Sequence, residues 1–296
     1  MKGLHGFSIQ SLLKPPSQPI TSKFMPEAIL SATEIAHYQA KGFVIPRFSL
    51  PLEMVKDLQT TLDELIRANP DVRPEKLVSE HIEGQQQGKN DDGVAGSRKF
   101  LELAMYPPLV EMVSEIIGPN VALWGCQVFC KPAAHGFETP WHQDGQYWPM
   151  RPLATCTVWV AIEPSLKSNG CLRVIPGSHK GQVLHPHLHE DRNDLVLNQR
   201  LADDTFNEDQ AVDIELQPGQ MSMHDVYMIH GAKANTSGLR RTGVAIRYMP
   251  TTSHFDRSLH PAAGKTGLAL NFATRPLWLL KGKDSCGLND FSIGHE

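Results

Sequence analysis

Six short β-rich runs follow one another along the second part of the chain, at 121–131, 155–162, 171–175, 212–216, 220–223 and 242–249. Turn signals such as Lys167-Ser168-Asn169-Gly170, Pro176-Gly177 and Gln217-Pro218-Gly219-Gln220 lie between them. Strands at this spacing argue for an antiparallel sandwich or barrel. The preceding residues carry helical signals instead. Ser31-Ala32-Thr33-Glu34 has the pattern of a capping box, so a helix is expected after it, ended by Gly42. A short strand at 43–45 follows, and Pro51 opens a second helix whose apolar residues Met54, Leu58, Leu62, Leu65 and Ile66 recur at helical spacing. Another short helix near 108–117 stops at Gly118-Pro119. The fold class expected is mainly β with a helical flank.

The chain reads as a single domain over 1–296, with an irregular arm at 1–26, a mostly helical flank at 27–118, a β core at 119–250 and a C-terminal segment at 251–296. Residues 71–97 are polar and rich in Gly, Gln and Asn, and read either as disordered or as a lid over a site. Residues 274–280 are apolar enough to pack a barrel end or an oligomer interface. The chain is expected to be a monomer or a homodimer.

Composition narrows the partners. With 28 Lys+Arg against 32 Asp+Glu, a net charge of −4 and no basic block, nothing marks a nucleic-acid or anionic-membrane surface. No apolar stretch approaches the roughly 18 residues of a membrane span. Residues 1–26 lack the apolar centre of a secretory signal. Five cysteines, with no C-x-x-C pair, read as reduced core thiols of a cytoplasmic protein. A small molecule is the expected partner.

Fourteen histidines invite a metal site, and the pattern worth testing is H-x-D plus a distant third histidine, which together cap one face of an octahedral ion and leave the other face open. Three H-x-D triplets compete: His142-Gln143-Asp144 beside Trp141, Tyr147 and Trp148; His189-Glu190-Asp191 in a charged loop; and His254-Phe255-Asp256 near the end. For the third position, His230 follows the apolar run 226–229 and is followed eleven residues later by Arg241, at the start of a β run. His224 is a rival, with Asn235 at the same offset. An arginine beyond the third ligand suits a bound carboxylate, because its planar fork donates two charge-assisted hydrogen bonds. A surface ion pair would explain Arg241 equally well.

Taken together, Lys131-Pro132, the stretch from Trp141-His142-Gln143-Asp144 through Pro149, Val158-Trp159-Val160-Ala161, Asn169-Gly170-Cys171-Leu172, Val174-Ile175-Pro176-Gly177-Ser178-His179 and His230-Gly231 through Arg241 closely resemble the phytanoyl-CoA dioxygenase family. The resemblance implies a double-stranded β-helix (jelly roll, cupin-like) that uses Fe(II), 2-oxoglutarate and O2. It implies His142, Asp144 and His230 as catalytic iron ligands and Arg241, rather than Arg240, as the holder of the distal carboxylate of 2-oxoglutarate. Lys131, Gln127, Thr157 and Trp159 fall where the family lines its cosubstrate pocket, and His179 falls in a turn.

The activity implied is hydroxylation of an unactivated C–H bond, with release of succinate and CO2. Relatives that halogenate have a small residue where this chain has Asp144, so hydroxylation is expected over chlorination. Substrate contacts are sought in Tyr147, Trp148 and Phe137 as a wall and in Arg98, Lys99 and Arg151 as cations. A small polar metabolite is expected, such as 2-aminoethylphosphonate or an amino acid. The alternatives are an acyl-CoA, lipid-like or natural-product substrate, or a non-catalytic jelly-roll binding protein. A zinc hydrolase is disfavoured because no H-E-x-x-H is present.

Overall fold

The computed structural model describes residues 28–83, 94–202, 204–259 and 272–295. The arm expected at 1–26 and the middle of the polar stretch, 84–93, lie outside the described residues. Four α-helices precede the main run of strands: α1 (Ala32–Lys41), α2 (Leu52–Ala68), α3 (Arg98–Ala104) and α4 (Pro107–Ile117). The capping box forms, with the Ser31 hydroxyl accepting from the Glu34 amide and the Glu34 carboxylate accepting from the Ser31 amide at 2.7 Å. Gly42 ends α1 at φ +81°, and a Cβ there would lie 2.2 Å from Met228 Sδ. Both the dihedral and the space require glycine.

Along α2, Val55, Leu58, Leu62 and Leu65 are buried against the large sheet. Each such side chain contributes roughly 1.5–3 kcal/mol on burial. Helix α3 has no counterpart in the sequence reading; Ser97 caps it and its Phe100 and Leu103 are buried.

Seven strands form the large sheet, in the order Phe43–Val44, Met221–Asp225, Cys156–Ala161, Arg241–Pro250, Val121–Lys131 and Trp278–Lys281, with Leu77–Val78 also paired to Val121–Lys131. Four more form a second sheet, in the order Val212–Ile214, Leu172–Val174, His230–Ala232 and Thr139–His142. All of these pairings are antiparallel.

Period-two alternation sorts the large sheet's side chains. Cys126, Val128, Cys130, Val158, Val160, Val244 and Ile246 join the helices in one apolar core. Gln127, Phe129, Thr157, Trp159, Ala245 and Arg247 take the alternate positions, on the opposite face. A bulge interrupts the register between Arg241–Pro250 and Val121–Lys131: Arg247 pairs with Gly125 and Tyr248 with Leu123, so Trp124 is the extra residue. Trp124 accordingly leaves the helix-side core and packs with Trp148, Met150 and Phe255.

The described ends of the polar 71–97 stretch pack into the molecule. Leu77 and Val94 are buried, and Glu80 and His81 lie inside the molecule. Polar side chains there face a buried polar cluster, which composition cannot distinguish from solvent. In the C-terminal segment, Phe272 and Leu277 are buried and Trp278–Lys281 closes one sheet edge. No helix among the described residues is long and apolar enough to cross a membrane.

Candidate active site

His142 and His230 end neighbouring strands of the second sheet and face each other as register partners. Their ring centroids are 4.2 Å apart. Asp144 opens the 3-10 turn Asp144–Tyr147 just beyond. Its Oδ1 lies 3.7 Å from His142 Nε2 and 4.0 Å from His230 Nε2, and one ligand atom from each of the three residues falls within 4.8 Å of the others. In each imidazole the opposite nitrogen is committed: His142 Nδ1 pairs with the Pro140 carbonyl at 2.8 Å and His230 Nδ1 with that of Met228 at 3.0 Å. A carbonyl only accepts, so each Nδ1 carries a proton and each Nε2 is the atom turned toward Asp144.

Gln143, the residue between His142 and Asp144, is buried and holds the turn in place. Its amide nitrogen donates to the carbonyls of Val183 (2.9 Å) and Tyr227 (2.7 Å), and its Oε1 accepts from the His185 amide at 2.8 Å. The sequence reading did not single it out, because an amide side chain between two ligand positions has no chemical signature of its own.

Among the described residues the rival triplets do not converge on a third histidine. His189 pairs with Asp191 at 2.7 Å on the exposed surface, and Asp256 bonds to the Ser258 hydroxyl. His224 sits beside the triad, with Nε2 3.7 Å from Asp144 Oδ2, while Thr157 Oγ1 donates to the same oxygen at 3.5 Å. Oδ1 therefore faces the two histidines, and Oδ2 faces His224 and Thr157. Burial works against the Asp144 charge, but the His142 and His224 rings, with His230 and Arg247 nearby, hold its carboxyl well below the usual range. Burial, and next the neighbouring His142, holds His230 well below the usual imidazole pKa, in the neutral form that a metal requires.

The triad opens into a cavity of about 450 Å³, mouth included, walled by Phe129, Trp159, Leu172 and Ala245 and reached by both Arg241 and Arg247. Arg241 is buried and lies 5.3 Å from the Trp159 ring, with Nη2 donating to the Gly170 carbonyl at 2.7 Å. Burial lowers its pKa to about 10. Its neighbour Arg240 points elsewhere and is neutralised by Glu163 at 2.6 Å and Asp63 at 2.9 Å. Of the two, only Arg241 faces the cavity with no carboxylate partner among the described residues.

Several residues proposed from sequence lie away from the cavity. Lys131 is buried with its Nζ donating to the carbonyls of Ala232 and Lys233, so its amino group is engaged by backbone. Gln127 accepts from Arg247 at 3.0 Å, at the far end of the strand from Arg241. Arg98 is exposed beside Glu102, Lys99 is exposed beside Asp57, and Arg151 folds back onto the carbonyls of Trp148 and Met150. Phe137 stacks beneath Arg73, 3.6 Å from its guanidinium carbon. Trp148 packs edge-on against Trp124, and the Tyr147 side chain lies outside the described residues. Lys131 and Gln127 were expected from the family resemblance and the others from charge and aromaticity, neither of which carries a side chain's surroundings. His179 bonds the Gln39 carbonyl at 3.1 Å, near the end of α1. Thr157 and Trp159 do line the cavity.

Comparison with known proteins adds four findings. A family model described as phytanoyl-CoA dioxygenase matches residues 38–243. A probable phytanoyl-CoA dioxygenase from Caenorhabditis elegans is 29% identical over 231 residues, covering 72% of this chain and 74% of its own. Among solved structures, the non-heme monooxygenase ThoJ superposes with a TM-score of 0.64 at 22% identity, covering 86% of this chain and 85% of its own. The epimerase SnoN, solved with Fe3+ and alpha ketoglutarate (2-oxoglutarate), superposes with a TM-score of 0.57 at 21% identity, covering 78% of this chain and 90% of its own.

Proposed function

Because the chain belongs to the phytanoyl-CoA dioxygenase family of Fe(II)- and 2-oxoglutarate-dependent oxygenases, we propose that it hydroxylates an unactivated C–H bond of a small polar metabolite, such as an aminophosphonate or an amino acid. His142, Asp144 and His230 are assigned as the iron ligands and Arg241 as the anchor for the distal carboxylate of 2-oxoglutarate. The observation that carries this reading is the convergence of the three ligand atoms, within 4.8 Å, in the same cavity that Arg241 enters. The two facing sheets support a double-stranded β-helix, built as one domain, as its scaffold. Five free cysteines, four of them buried, support a reducing, cytoplasmic setting.

The donor set fits a ferrous ion: two imidazoles, that of His230 held neutral, and one carboxylate held ionised, on one side of a cavity. Iron(II), 2-oxoglutarate and O2, when bound, would together supply the chemistry that hydroxylates an aliphatic carbon, one oxygen atom of O2 going to the substrate and the other to the succinate formed from the keto acid as CO2 leaves. The chain's own contribution is positional. The carbonyls of Pro140 and Met228 orient both histidine rings, Thr157 donates to the outer oxygen of Asp144 with His224 beside it, and Phe129, Trp159 and Leu172 keep the cavity wall apolar and exclude water. Among the described residues the guanidinium of Arg241 has no carboxylate partner, which leaves its charge for a ligand.

Aerobic incubation with iron(II) and 2-oxoglutarate, scored for succinate above the uncoupled background across a metabolite panel, tests the proposal. Asp144→Ala is expected to abolish iron-dependent succinate formation, and unchanged turnover in that variant would overturn the assignment. An acyl-CoA substrate is the second reading, favoured by the name its relative carries. Succinate formation stimulated by phytanoyl-CoA and by no small metabolite would select it.

A further inference from the structure

The cavity holds a second buried cation that the cosubstrate does not require. Arg247 stands six residues beyond Arg241 on the same strand, and an even separation places both on one face, roughly 20 Å apart along the chain at about 3.3 Å per residue. Ala245 lies between them on that face and also lines the cavity.

Arg247 is only 7% exposed. Among the described residues it forms no ion pair: its Nη2 donates to the neutral Gln127 amide at 3.0 Å, and its Nε is buried without a partner. Two indoles flank it, with the guanidinium carbon 5.8 Å from the Trp124 ring and 5.3 Å from that of Trp148. The bulge at Trp124 produces this flanking, since regular pairing would have left that ring on the helix side. Gly125, opposite Arg247, leaves room for a second guanidinium: a Cβ there would meet Arg275 Nη2 at 3.2 Å and Arg247 Cδ at 3.8 Å. Arg275 is itself bound to the Trp124 carbonyl and the Ser79 hydroxyl. The nearby carboxylates do not cancel the charge at contact range. Asp144 faces the histidines, and burial pushes the Glu80 carboxyl up to about 7.

A buried arginine with donors unspent is destabilising unless a ligand uses it. We infer that Arg247 docks the anionic group of the primary substrate, a small organic carboxylate, phosphonate or sulfonate, whose carbon chain lies along the Ala245 side of the cavity toward His142, Asp144 and His230. Arg241 and Arg247 then divide the work, one holding the cosubstrate and the other the substrate. The inference rests on the oxygenase reading and narrows its substrate class from polar to anionic.

Calorimetric titration of the Ni(II)- and 2-oxoglutarate-loaded protein with four probes tests it. β-Alanine, 2-aminoethylphosphonate and taurine share an aminoethyl chain and differ in their anion, while ethanolamine carries none. At least one anion is expected to bind ten or more times tighter than ethanolamine, an advantage in line with a charge-assisted hydrogen bond of about 1.5–3 kcal/mol. Arg247→Gln is expected to reduce that binding roughly 10- to 100-fold relative to the binding of 2-oxoglutarate, and Arg247→Lys to restore part of it. Gln127→Glu, which keeps the arginine but gives it an internal carboxylate, is expected to cause the same loss and decides the matter if Arg247→Gln fails to fold. No preference for any anion over ethanolamine, anion binding unchanged in Gln127→Glu, or loss of 2-oxoglutarate binding in step with the anion would overturn the inference. Failure of the oxygenase reading is separately visible, as a wild-type protein that neither takes up 2-oxoglutarate with Ni(II) nor forms succinate with iron(II).

Discussion

Glu80 shows how strongly single side chains behind the cavity depend on their surroundings. It is fully buried, with Cys126 and Arg247 nearby, and among the described residues neither carboxyl oxygen has a hydrogen-bond partner. Burial raises its pKa from 4.5 to about 7, so the folded chain holds a proton there that the unfolded chain releases. For a raised carboxyl the stabilising contribution is complete below about pH 4.5 and disappears as the pH climbs through 7. Glu80→Gln keeps the neutral form at every pH. Its stability relative to the parent is expected to rise between pH 5 and 7, by an amount on the order of 3 kcal/mol, and to level off above. Urea unfolding of both proteins across that range checks this, and a constant difference would show that the carboxyl does not titrate in the fold.

At the scale of elements, the cavity wall depends on how closely neighbouring strands approach. Gly243 lies where a Cβ would come within 2.1 Å of the Trp159 indole, so the ring that walls the cavity beside Arg241 lies directly over glycine backbone. Gly243→Ala is expected to displace that ring, lower stability by about 1–3 kcal/mol and weaken 2-oxoglutarate binding. Thermal unfolding and calorimetry read the two effects, and unaltered binding would remove Trp159 from the cosubstrate wall. In α1, Ser31→Ala removes the capping hydroxyl and is expected to cost about 1 kcal/mol in urea unfolding, with no change in metal binding.

The helices and strands were legible where local chemistry dominates: the capping box, Gly42 and the alternating runs at 155–162 and 242–249 all lie in the elements expected there. Helix α3 was not, because its seven residues are too few to display a period. Arg247 was missed although its signal was present. Arg241-Thr242-Gly243-Val244-Ala245-Ile246-Arg247 places two arginines on one strand face, but only burial tells a cavity cation from a solvated one. Arg98 and Arg151 were chosen over it for the same reason, since sequence carries charge without carrying exposure.

For the whole molecule, the two sheets bring together groups that are separated by some hundred residues in sequence, so ligand binding should stabilise the fold globally. A ligand at a hundred times its dissociation constant adds about 2.7 kcal/mol, so Ni(II) with 2-oxoglutarate is expected to raise the unfolding temperature well above that of the protein alone. The most direct test of the account is an anaerobic titration of the iron(II)-loaded protein with 2-oxoglutarate, followed by the visible charge-transfer absorption that appears when the keto acid chelates ferrous iron. One equivalent per chain is expected, lost in His142→Ala and in His230→Ala and retained in His189→Ala and His254→Ala. A wild-type titration in the His142→Ala and His230→Ala proteins would contradict it.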